Sequence, residues 1–75
     1  MSKLPSISGK QCVKVLEKTG FIIRRQRSSH IVITKENPFM QLVVPDHKTL
    51  DKGTLRAIIR QSGLTVDTFI ALLLD

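Results

Sequence analysis

The stretch Phe21-Ile22-Ile23-Arg24-Arg25-Gln26-Arg27-Ser28-Ser29-His30-Ile31-Val32-Ile33 decides how this chain folds. Both of its ends are rich in β-branched and aromatic residues, which fit a pleated, half-buried surface, so each reads as a β-strand. Ser28-Ser29 is then the turn of a hairpin, with a first strand over Phe21 to Arg27 and a second from His30 to about Thr34. In the second strand Ile31 and Ile33 share one face, while His30, Val32 and Thr34 share the other. If the isoleucines face the core, His30 faces away from it, fixed on a rigid element close to three arginines.

Working outward, Lys35-Glu36-Asn37-Pro38 is a turn by composition, and a third strand over Phe39 to Val44 ends at Pro45, which cannot donate to a ladder. Such short connections imply an antiparallel meander. Upstream, residues 1–7 read as a polar lead-in, and Ser8 is an N-cap for a helix from Gly9 to Thr19. Cys12, Val13 and Leu16 form its apolar face, and Gly20 ends it. After Pro45 a polar connection runs from Asp46 to Thr54, with Thr49 and Asp51 both able to cap a second helix. Leu55, Ile58 and Ile59 keep helical spacing there, and Gly63 stops it. Thr65 opens a short third helix with Val66, Phe69, Ile70 and Leu73 on one stripe. The order predicts one α+β domain over residues 1–75, a two-layer sandwich with helices on one face of the sheet and the other face open.

Composition narrows the function. The 75 residues allow one small core, and the longest apolar run, Phe69 to Leu74, is far short of the ~18 residues a membrane span needs. The opening Met1-Ser2-Lys3-Leu4-Pro5-Ser6 lacks the apolar run of a signal peptide, so a cytoplasmic protein with no membrane partner is expected. Cys12, alone and in a helical pattern, reads as a small core residue. Twelve Lys and Arg against six Asp and Glu give a net charge of +6, and no acid lies between Arg24 and Lys35. That bias points to a polyanion, because each phosphate neutralised by a cationic side chain releases condensed counterions. With neither Trp nor Tyr, a platform for stacking bases is not expected.

RNA carries its own nucleophile in the 2′-hydroxyl beside each phosphodiester. A protein that cuts it must take that proton, steady the phosphorane oxygens and protonate the departing 5′-oxygen. Histidine side chains exchange protons near neutrality, and arginines offer planar donors that match phosphate. His30 is therefore the candidate general acid or base, and Arg24, Arg25, Arg27 and Lys35 are the candidates to hold the substrate. Regular alternation along a strand would keep them from all reaching one phosphate. Ser29 beside the histidine, with Lys48 and Lys52 ahead of the second helix, completes the set of candidate RNA contacts. DNA is inert to this route, and no DNA binding by the chain alone is expected. Products would be a 2′,3′-cyclic phosphate and a 5′-hydroxyl. His47 is the one other histidine, in a loop where a capping or solvated imidazole fits as well. Two distant histidines, one cysteine and scattered acids have no metal-ligand spacing, so neither metal nor cofactor is expected.

The same residues fit plainer roles. His30 could simply satisfy its nitrogens at a sheet surface, and the arginines could form a cationic edge that resists aggregation. A non-catalytic double-stranded RNA-binding module would bind RNA and be indifferent to His30. An adaptor pairing its sheet edge with a partner strand would bind RNA weakly and without salt dependence.

The succession Ser8-Gly9-Lys10, Leu16, Gly20-Phe21, Arg25-Gln26-Arg27-Ser28-Ser29-His30, Val44-Pro45-Asp46-His47 and Lys52-Gly53-Thr54-Leu55-Arg56-Ala57-Ile58-Ile59-Arg60-Gln61-Ser62-Gly63-Leu64 resembles the HicA toxins of bacterial toxin–antitoxin pairs over nearly the whole chain. The resemblance implies a double-stranded RNA-binding-domain-like α+β fold and a metal-independent endoribonuclease, an mRNA interferase that arrests growth. It implies a HicB-like antitoxin that masks the active site. The family's catalytic histidine, in a Gly-Ser-His motif, falls on His30, and its Pro-x-His segment falls on Pro45-Asp46-His47, to which no catalytic role is extended. The motif's glycine is Ser28 here. If that position needs a positive φ or a close approach of RNA backbone, Ser28 is strained or obstructive.

Overall fold

The computed structural model describes residues 3–75; Met1 and Ser2, the start of the expected lead-in, lie outside them. Helix α1 (Gly9–Glu17) is followed by strands β1 (Ile22–Arg27), β2 (His30–Lys35) and β3 (Met40–Pro45), then α2 (Lys52–Ser62) and α3 (Val66–Leu74). The strands pair antiparallel in the order β1-β2-β3, the expected α+β meander.

Local chemistry sets the helix ends. Ser8 Oγ accepts from the Gln11 N–H at 3.0 Å while Gln11 Oε1 accepts from the Ser8 N–H at 2.9 Å, a reciprocal pair that satisfies two donors at the start of α1. The helix closes at Glu17, two residues before the expected Thr19, and Gly20 turns the chain with φ 109°. Asp51, not Thr49, caps α2, its carboxylate accepting from the Gly53 and Thr54 N–H groups. Gly63 ends that helix in the left-handed region, and Thr65 caps α3, which turns off α2 by 99°. Among the described residues no single helix is long and apolar enough to cross a membrane.

One cluster forms the core. Ile31, Ile33, Leu42 and Val44 cover the helix side of the sheet and pack with Val13 and Leu16 of α1, Leu55 and Ile59 of α2, and Phe69 of α3. Cys12 is fully buried there, and burial pushes its thiol up from 9.0 to about 12. Phe21, expected to begin β1, lies just ahead of the strand and fills the core instead. The third strand is shifted by one residue, leaving Phe39 outside it and 62% exposed.

The expected polar lead-in needs correcting. Leu4 and Ile7 belong to the core, and the segment is tied down from the far side of the chain. The Leu50 N–H donates to the Ile7 carbonyl at 2.7 Å, and Lys52 Nζ donates to the Leu4 carbonyl at 2.6 Å. A thin core gains two apolar side chains from this strap, each contributing roughly 1.5–3 kcal/mol when fully buried.

Candidate active site on the open sheet face

The register fixes which side chains share the face away from the helices. His30 stands opposite Arg27 on one side and Pro45 on the other. The next pair inward on this face is Arg25 with Val32, and Val32 is matched by Val43. The row after that joins Ile22, Thr34 and Gln41. His30, Arg25 and Arg27 are exposed, and Ile22 and Val43 are each 48% exposed, so the helices leave this face open as expected.

Regular alternation would send Arg24 to the helix side. Instead the β1–β2 register slips between Ile23 and Arg25, a β-bulge with Arg24 as the extra residue. Arg24 Nε donates to Thr34 Oγ1 at 2.8 Å, which places its guanidinium over the open face and covers Thr34. All three arginines of the stretch therefore share a face with His30. None of them has a carboxylate partner among the described residues, and His30 makes no side-chain hydrogen bond there.

The turn that carries His30 is held from behind. The Asp46 N–H donates to the Ser29 carbonyl at 2.7 Å, and Gln26 Nε2 donates to the Asp46 carboxylate at 2.7 Å. The Gly9 N–H donates to the His47 carbonyl at 2.9 Å, and a Cβ added to Gly9 would collide with the Pro45 carbonyl oxygen. The Ser8-Gly9 and Pro45-Asp46-His47 segments thus meet behind the His30 turn, a contact that sequence reading missed. Within the turn Ser28 has φ 50°, so the position that holds glycine in the family motif does take a positive φ.

The remaining candidates are dispersed. Ser29 is half-buried and contributes its carbonyl to the clamp. Lys35 is at the far end of β2, five residues or roughly 17 Å from His30. It points to the helix side, with Nζ 5.7 Å from the centre of the Phe21 ring. Lys48 is exposed in the β3–α2 connection, as is the side chain of His47. Lys52 is exposed, but its ammonium donates to the Leu4 carbonyl and to Ser6 Oγ, which commits two of its three N–H groups to the N-terminal strap. Among the described residues no three of His, Cys, Asp and Glu gather where they could hold a metal ion.

Fold and site together define a class: a small cationic α+β protein with an exposed histidine set among arginines on an open sheet. The chain belongs to the HicA toxin family, whose model, described as the HicA toxin of bacterial toxin–antitoxin systems, matches residues 9–64. Membership makes it part of a toxin–antitoxin system, with an antitoxin as partner. No curated protein matches the chain.

Proposed function

We propose that residues 1–75 form a single HicA-like domain acting in the cytoplasm as a metal-independent endoribonuclease that cleaves mRNA. The observation that carries this reading is the placement of exposed His30 directly opposite Arg27, with Arg25 two residues back on the same face. The substrate's 2′-oxygen attacks the adjacent phosphorus and the bond to the 5′-oxygen breaks. His30 either takes the 2′-hydroxyl proton or gives one to the departing 5′-oxygen, water exchanging the proton at the other oxygen, and the arginines neutralise the phosphorane. A HicB-like antitoxin would silence the toxin by covering this face, where half-exposed Ile22 and Val43 offer an apolar patch inside a cationic rim.

The rival, a non-catalytic module for double-stranded RNA, needs cations near the start of the second helix. It is weakened by the engagement of Lys52 with the Leu4 carbonyl. Incubating the purified chain with a long single-stranded RNA and its DNA counterpart in excess EDTA tests the proposal. Cutting of RNA alone, with fragments ending in 2′,3′-cyclic phosphate and 5′-hydroxyl, is expected. RNA bound but left whole would favour the rival, and cutting of DNA or dependence on added metal would refute the mechanism.

A further inference from the structure

We infer that the open face is a three-step track for consecutive phosphates of one RNA strand, with the cut made at one end of the track. This rests on the proposed nuclease reading and specifies how that site takes its substrate. The rows across the sheet lie two residues apart along β2 and β3, about 6.7 Å. That is close to the step between neighbouring phosphates in an extended single strand.

Each row carries one arginine. Arg27 stands beside His30 in the first and Arg25 beside Val32 in the second. Arg24 lies over Thr34 in the third. The bulge creates this spacing, since an unbroken β1 would have turned Arg24 to the helix side. Thr34 takes only the Nε proton of Arg24, so among the described residues the two terminal nitrogens have no hydrogen-bond partner and can clasp phosphate, and the long side chain is held in place before RNA arrives.

The row of arginines ends on both sides. The Ser28-Ser29 turn stops it beside His30, and beyond Thr34 the next cation, Lys35, lies on the opposite face. His30 therefore sits in the terminal row, and the protein grips nucleotides on one side of the cut only. Val32 and Val43 supply an apolar floor beside the arginines, which direct the grip to phosphate. A flexible single strand can follow a row of arginines along the twist of the sheet, whereas a stiff duplex cannot.

The test uses 2′-O-methyl RNA, whose blocked 2′-oxygen cannot attack, so binding is read apart from cutting. Fluorescence anisotropy with the full chain and single-stranded probes of increasing length should show affinity rising until three phosphates are covered and then levelling. Against log salt concentration, log affinity should fall with a slope of about −2, from about −0.7 per phosphate contact. Arg24→Gln and Arg25→Gln should each flatten that slope by about 0.7. Slopes unchanged in both variants, a duplex bound as tightly as a single strand, or no binding at all would overturn the track. Normal slopes in a chain that leaves ordinary RNA uncut would uphold the track and defeat the nuclease reading alone. In a cleavable RNA, an uncharged methylphosphonate two steps from the cut should slow cleavage from one side and not the other. Equal effects from both sides would contradict a terminal His30.

Discussion

Replacing Ser28 with glycine should stabilise the protein, although the residue lies in an exposed turn and glycine loosens most chains. Ser28 is the first central residue of a two-residue hairpin loop, with φ 50°, while Ser29 does not share the positive φ. That pattern matches a type II′ turn, whose first central position favours glycine. An L-residue held in the left-handed region costs about 1–2 kcal/mol, which Ser28→Gly would relieve. Against this, the greater freedom of glycine in the unfolded chain costs about 0.4–1 kcal/mol. No hydrogen bond of the Ser28 hydroxyl is lost among the described residues, so the middle of the two ranges gives a gain of about 0.8 kcal/mol. In a chain of this size each kcal/mol moves the melting temperature by about 4–8 °C, giving an expected rise of roughly 3–6 °C. Thermal melts followed by far-UV circular dichroism, with urea titrations as a second measure, would detect it. A variant that melts at or below the wild-type temperature would refute the assignment of strain to Ser28.

Two further substitutions probe the scaffold. Gly9→Ala forces a methyl group into the Pro45 carbonyl; because neither backbone can give easily, stability should fall by about 1–3 kcal/mol in urea titrations. An unchanged midpoint would mean that the α1–Pro45 contact is looser than described. Burial raises the Cys12 thiol to about 12, so the native state keeps its proton where the unfolded state, from about pH 9.0 upward, loses it. The contribution is therefore level below that pH and declines as pH rises toward 12, by at most about 1.4 kcal/mol per pH unit. Cys12→Ala should show a shallower decline over this window, and matching slopes would contradict the assignment.

Features governed by neighbouring residues were legible in the sequence, and features governed by distant ones were not. The hairpin around Ser28-Ser29 and the outward face of His30 follow from strand composition and two-residue alternation. The caps Ser8 and Thr65 and the stops Gly20 and Gly63 are likewise local. The bulge left no mark, because Ile23-Arg24-Arg25 reads as ordinary strand and only its pairing with Ile33 and Val32 shows the slip. Without it the three arginines could not be placed on one face. Leu4 and Ile7, flanked by proline and serines, show no sustained period, and the tie of Leu4 to Lys52 spans 48 positions. Charge alone suggested Lys35 and Lys52 as RNA contacts, but a lysine goes where its stem packs and its ammonium finds oxygen. For Lys35 that is beside Phe21, and for Lys52 it is the strap. The role of Gly9 could be anticipated only as a small residue in a family motif, since the carbonyl it makes room for is 36 positions later.

His30→Ala tests the central claim most directly, because the side chain is exposed and makes no hydrogen bond among the described residues. Its removal should change stability by no more than about 0.5 kcal/mol, so a change in activity cannot be blamed on unfolding. Measured in EDTA beside the wild type, the variant should melt at the same temperature, bind 2′-O-methyl RNA with the same salt slope and leave ordinary RNA uncut. Equal cutting by both proteins would contradict the account and move attention to His47.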